Sequence, residues 1–166
     1  MIPYLQNLIA ALREELHEYG EMLARLDEQQ ELVMKREADG ILQSVSTIQD
    51  QSATIQRARE IRETRQTELA QNLGLAAGEN EFAKIIPRLP EDYRPLVDAL
   101  VQENNALLTR IQSRARQNHL LLRQSLDLMQ RFLSTLFPSH EPRVYNGGGQ
   151  LFPNATPAVT VYEAVG

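Results

Sequence analysis

Apolar residues at the start of the chain fall at Leu5, Leu8, Leu12, Leu16, Tyr19, Leu23, Leu26 and Val33, in steps of three and four with one gap at Gln30. This is the a/d seam of a heptad repeat, sustained over four heptads. It predicts a helix over about residues 3–36 that packs along one stripe on another helix. Pro3 fits the first turn, where its missing N–H would have no partner anyway. Gly20 sits inside the pattern at a cost of about 1 kcal/mol relative to Ala.

A break is expected at Ala38-Asp39-Gly40, with Asp39 capping a second helix over residues 40–73. Its seam reads Ile41, Val45, Ile48, Ser52, Ile55, then Arg59, Arg62, Gln66, Leu69 and Leu73. In the middle, QRAREIRETRQT offers only Ala58 and Ile61 as apolar residues. That stretch has helix propensity and little to bury, so it reads as a solvated part of the helix. Gly74 is a good stop. In the connection GLAAGENEFAKIIPRLPED, one helical turn over about residues 80–86 would offer Phe82, Ile85 and Ile86 as a plug for one end of a bundle. Pro87 and Pro90 limit regular structure around it.

The last helix is expected over residues 91–137, roughly 70 Å long. Its first half is mixed, with Leu96, Leu100, Leu107 and Ile111 and an interleaved Asn104. Its second half, HLLLRQSLDLMQRFLSTLF, carries two adjacent apolar stripes. One passes through Leu121, Leu128 and Phe132, the other through Leu122, Leu126, Met129, Leu133 and Leu136. This face reads either as the best-packed part of a core or as a surface that receives a partner helix. Residues 138–166 form a tail with four prolines and three consecutive glycines. Val144, Tyr145, Leu151, Phe152, Val159, Val161 and Tyr162 lie between those spacers. A merely solvating tail is poor in such residues, so this one reads as a flexible segment that orders on binding.

Charge adds direction. Residues 1–39 carry nine acids and four bases, and residues 101–137 carry two acids and five bases, which makes the first and last helices candidate antiparallel neighbours. The net charge of −5 argues against a nucleic-acid binder. Cys is absent, which excludes disulfides and thiolate chemistry. The N-terminus has no basic region ahead of its apolar residues, and no stretch reaches the roughly 20 apolar residues of a membrane span, so the reading is a cytoplasmic protein. No catalytic constellation is apparent. The NGGGQ run does not open a helix after a strand, so it is no phosphate cradle. Glu14 and His17 have the spacing of half a di-iron site, and no second such pair exists. No catalytic residue, metal site or cofactor is therefore expected.

The tail's His140-Glu141-Pro142, then Tyr145, then Gly149-Gln150, directly after a long amphipathic helix, resembles the end of a FlgN-type flagellar export chaperone. The front half is similar too, with its heptad-rich first helix, the break at Ala38-Asp39-Gly40-Ile41-Leu42, the Arg-rich second helix and the Leu73-Gly74 stop. The resemblance implies a small cytoplasmic helical protein without catalysis. Such a protein binds hook–filament junction proteins through their terminal helical segments, prevents their premature self-association and brings them to the export gate. Carried over, the client face would draw on Leu122, Leu126, Met129, Phe132, Leu133 and Leu136. Tyr145 would dock on the cytoplasmic domain of the gate's large membrane protein. Beyond Gln150 the chain departs from the family pattern, ending in VTVYEAVG.

The expected fold is thus all-α: an elongated antiparallel bundle or coiled coil of three long helices over residues 1–137, with a flexible tail over residues 138–166. A structural coiled-coil module for oligomerisation, without a role in secretion, is the rival reading.

Overall fold

The computed structural model describes residues 1–136, and among these there is no β-strand. Four helices follow one another: α1 (Ile2–Lys35), α2 (Ala38–Asn72), the single-turn α3 (Phe82–Ile85) and α4 (Arg94–Leu136), with 3-10 turns at Ile86–Arg88 and Glu91–Tyr93. The protein is an all-α helical bundle built on three long helices. The chain divides into a unit of Met1–Leu126 and a second unit from Asp127 onward. The tail expected from residue 138, with Tyr145, lies outside the described residues.

α1 and α2 form an antiparallel hairpin joined at Arg36 and Glu37. The Glu37 N–H donates to the Leu32 carbonyl at 3.1 Å and the Arg36 N–H to the Val33 carbonyl at 3.2 Å. This backbone closure puts Arg36 in the left-handed region, φ 58°. The break thus falls two residues before the expected one. Asp39 does not cap α2: the cap position is Glu37, without a side-chain cap bond, and Asp39 lies in the first turn. Its charge there still favours the helix dipole. Cross-links along the hairpin run Gln29 to Ser44 (3.1 Å) and Gln51 to the Glu18 carbonyl (3.0 Å).

The expected seam of α2 needs correction. Its buried residues are Ser44, Gln51, Ala58, Gln66, Leu69 and Ala70, while Val45 is 40% exposed and Ser52 is exposed. Ile41, Ile48 and Ile55 are only half-buried. α2 therefore meets α1 on the neighbouring face. Small and hydrogen-bonding side chains let the two backbones approach there, so apolar periodicity alone selects the wrong stripe. The Arg-rich middle is likewise not simply solvated, because Ala58 and Gln66 are buried within it.

α2 ends where Gly74 takes φ +72°. The Gly74 N–H donates to the Gln71 carbonyl and the Leu75 N–H to the Ala70 carbonyl, each at 3.0 Å. This pairing satisfies the carbonyls that a helix end leaves free. The reversal turns Leu75 into the main core, where it joins Leu5, Leu8, Ile9 and Leu12 of α1, Leu69 and Ala70 of α2, Ile85 and Leu89 of the connection, and Val97 and Leu100 of α4. Each large apolar side chain buried there contributes about 2 kcal/mol relative to exposure.

α4 then runs alongside α1 in the same direction, which overturns the expected antiparallel pairing of the first and last helices. Asn104 Nδ2 donates to the Leu12 carbonyl (3.1 Å) and Asn118 Nδ2 to the Leu26 carbonyl (2.7 Å), a constant offset of 92 residues. Two reversals separate α1 from α4, so the third long helix must return parallel to the first. The complementary charges are still used, in the Arg114–Asp27 ion pair at 2.7 Å. They select the neighbour and have no influence on direction.

Two substitutions test the backbone reading. Arg36→Gly, which relieves a side chain at positive φ, and Gly20→Ala, where an added Cβ meets nothing within 4 Å, should each raise stability by roughly 1 kcal/mol. Urea denaturation should show a higher midpoint with an unchanged slope. A lower midpoint for either variant would contradict the turn or helix geometry described above.

Candidate partner-binding face

α4 leaves large apolar side chains in solvent. Leu126, Met129 and Phe132 are each 61% exposed, Leu128 is 60% and Leu133 is 48%. Leu121 and Leu122 are half-buried, and Leu136 closes the helix. Leu122 and Leu126 are four residues apart in the first unit, and Met129 and Leu133 are four apart in the second, with Phe132 beside them. Asp127 and Arg131 fall on the other side of the helix from Met129 and Leu133. The main core contains nothing of α4 beyond Leu100 apart from Val101 packed at its margin. This stretch is therefore not the best-packed part of a core. Apolar side chains in such number, unburied on one helix face, mark a surface able to bind another apolar face.

The upstream half of α4 is held on α1 by polar side chains in a buried seam. Asn104 and Asn118 are 6% and 1% exposed. Asn118 also donates to Gln29 Oε1 at 3.1 Å, and Arg114 bonds Gln30 as well as Asp27. A second polar centre ties α1 to α2. The carboxylate of Glu15, 3% exposed, accepts from Tyr19 Oη at 2.9 Å and from Arg62 Nε at 3.0 Å. Arg62 continues to Gln66 Oε1 at 2.8 Å, and Gln66 reaches the Asn80 carbonyl in the connection. A charge so buried needs its partners, because removing one leaves the other uncompensated. Burial, and then the bond to Glu15, push the Tyr19 phenol up to about 12.

Beside this centre lies a cavity of about 350 Å³, bounded by Glu15 and Tyr19 of α1, Arg59 and Arg62 of α2, Phe82, and Asn104 and Leu108 of α4. Arg59 Nε stands 3.6 Å from Glu15, too far for a hydrogen bond. It and Asn104 Oδ1 are buried without a hydrogen-bonding partner. Glu14 and His17 are exposed on α1, and among the described residues no three His, Cys, Asp or Glu side chains converge as metal ligands would. Among the described residues no helix is long and apolar enough to cross a membrane.

Sequence reasoning missed the buried Glu15 and the two half-buried arginines, Arg59 and Arg62, that face it. The signal was present, since Leu8, Leu12, Glu15, Tyr19, Met22, Leu26, Gln29 and Val33 also step by three and four. A seam drawn through apolar residues alone passes over it.

The tyrosine offers a test with a defined sign. Its folded-state pKa lies above the ordinary value of 10, so its contribution is fully present below pH 10 and is lost as pH rises toward 12. Lys35, Lys84 and the other four tyrosines are common to the wild type and Tyr19→Phe, so the comparison isolates Tyr19. Stability should therefore fall between pH 10 and 12 in the wild type and fall less steeply in Tyr19→Phe. One phenolate should appear in the ultraviolet titration only as the fold is lost. Equal pH dependence in the two proteins would show that Tyr19 is not buried as described.

The family model described as FlgN protein matches residues 1–152, a span that includes all four helices. No curated protein and no solved structure matches the chain. The match covers most of the chain, and the helical architecture agrees with it: the chain belongs to the FlgN protein family, a family of flagellar export chaperones rather than enzymes.

Proposed function

We propose that this chaperone works in the cytoplasm on the hook–filament junction proteins. It covers their terminal helical segments with the apolar face of α4 and presents them to the export gate through its tail. The observation that carries the proposal is the exposure of Leu126, Met129, Phe132 and Leu133 on one helix. An aggregation-prone client helix offers a matching seam, and each apolar anchor buried on both sides contributes about 1.5–3 kcal/mol. Leu122 and Leu136 extend the same face. Tyr145 is the docking residue for the cytoplasmic domain of the gate's membrane protein. Linkage to an already bound client raises the effective concentration of that second, weak contact.

Calorimetric titration with the C-terminal helical segments of the junction proteins should show one-to-one binding with a negative heat-capacity change. Leu126→Asp/Leu133→Asp should weaken it about a hundredfold while the protein stays folded, as the loss of two anchors of about 1.5 kcal/mol each predicts. Tyr145→Ala should leave client affinity intact and reduce binding to the gate domain. A folded wild-type protein that binds no junction segment at tens of micromolar, on the order of 6 kcal/mol of affinity, would sink the proposal.

A further inference from the structure

The cavity of about 350 Å³ beside Glu15 lies wholly within the first unit, and all three long helices and the connection contribute to its walls. Leu12, Phe82, Val101 and Leu108 supply the apolar part. The polar side chains around it are mostly committed to one another. Arg62 donates to Glu15 at 3.0 Å, to Gln66 at 2.8 Å and to Glu63 at 3.3 Å. Tyr19 donates to Glu15, and the Gln66 amide donates to the Asn80 carbonyl. The Asn104 amide donates to the Leu12 and Leu100 carbonyls, at 3.1 Å and 2.9 Å.

Subtraction leaves one donor and one acceptor. Among the described residues three buried side-chain polar atoms lack a partner, and two of them, Arg59 Nε and Asn104 Oδ1, belong to residues that bound this cavity. Asn104 is 6% exposed, so solvent does not make up its missing bond. The Arg59 side chain is 39% exposed, which leaves its charge open to an incoming group. Glu15 already holds a hydrogen-bonded ion pair with Arg62, and Arg59 stands off from it at 3.6 Å. Glu81, the other acid that bounds the cavity, is exposed. One spare guanidinium near two acids suits a singly charged anion and disfavours a doubly charged phosphate.

We propose that this cavity binds the carboxylate end of an acylated amino acid with an apolar side chain, the group that also forms the C-terminus of a peptide. The carboxylate takes the Arg59 guanidinium, the N–H next to it donates to Asn104 Oδ1, and the side chain packs among Phe82, Val101 and Leu108. Ligand sites run from roughly 300 to 1,000 Å³, so a cavity at the small end of that range takes one residue and not a helix. The site goes beyond the export reading. None of its walls comes from the exposed apolar residues of α4, and its ligand is recognised by a charged end.

The two end groups allow a test on the ligand that leaves the fold untouched. The probes are N-acetyl-leucine and Ac-Ala-Ala-Leu with free carboxylates, titrated into the isotope-labelled full chain and followed by NMR. Both should shift the Arg59 Nε–H and Asn104 Nδ2–H signals saturably. Turning the carboxylate into a carboxamide, or methylating the leucine N–H, should each weaken binding at least about tenfold. Arg59→Lys, which keeps the charge and loses the planar fork, should weaken it about tenfold, and Arg59→Gln more, with unchanged circular dichroism spectra. Leu133→Asp should bind the probes as the wild type does while losing affinity for junction segments, so the two readings fail separately. Tighter binding of the tripeptide assigns the site to a protein chain end, and equal binding assigns it to a free acylated amino acid. Absence of saturable shifts with either probe at about ten millimolar would overturn the proposal. So would a carboxamide that binds as well as the acid, or acetate that competes as well as N-acetyl-leucine, which would leave only a site for a bare anion.

Discussion

Two asparagine amides determine where α4 lies on α1. Asn104 and Asn118 are fourteen residues apart, and so are the carbonyls of Leu12 and Leu26 that they bond. Sliding α4 by one heptad brings both amides to other main-chain carbonyls, but it separates Asn118 from Gln29 and Arg114 from Asp27, and a buried polar group left unpaired costs on the order of 1–3 kcal/mol. Leucines at these positions would pack in any register. The amides specify one register at some loss of stability, as a lone buried Asn does in a coiled coil. Their unpartnered Oδ1 atoms show that loss. Everything that α4 displays follows from the choice. At an offset of 92, Met34 stands level with Leu126, the last residue of the first unit, so α1 runs out where that unit ends.

The first unit divides its labour along its length. The apolar cluster joins the start of α1, the end of α2, the connection and the start of α4. Further along, Tyr19, Met22, Leu26 and Val33 of α1 are buried singly, and between them α1 meets its neighbours through the Glu15 centre, Gln51 on Glu18, Gln29 on Ser44, and Asn118. Hydrogen-bonded seams contribute roughly 1 kcal/mol per bond and hold geometry more than they add stability. The packed end therefore anchors the fold, and the polar end opens at lower free energy.

The three long helices were legible because heptads and breaks are local signals. Gly74 stops α2 where a left-handed residue is required, and the expected α1 seam is buried at Leu5, Leu8, Leu12, Tyr19, Leu26 and Val33. The errors share one cause. Apolar periodicity locates a stripe only when the stripe is apolar. Ser44, Gln51 and Ala58 face α1 because they are small or can hydrogen-bond. Glu15 is buried because Arg62, 47 residues away, reaches it. Neither fact is visible in one helix alone. The reversal at Arg36 was missed because backbone groups make it without a glycine. Direction was misjudged because charge balance is the same for parallel and antiparallel pairs. For the partner face, the surplus of leucines was legible, and the choice between core and surface was not. That choice depends on where α1 ends relative to α4.

The composition of the apolar cluster has a consequence for how the chain is made. Its members come from residues 5–12 and from residues 69–100, with nothing between. Synthesis therefore produces a long α1–α2 hairpin, stitched mainly by polar side chains, well before any large apolar nucleus can close. Closure requires the loop between Leu12 and Leu69 to be formed first, and its entropy grows only slowly with length. The nucleus is nonetheless non-local, which slows folding relative to a bundle closed by sequence neighbours. Among the described residues, the apolar face of α4 is the last helical segment to be made. It follows Leu100, the last residue of that cluster, and so contributes none of its members.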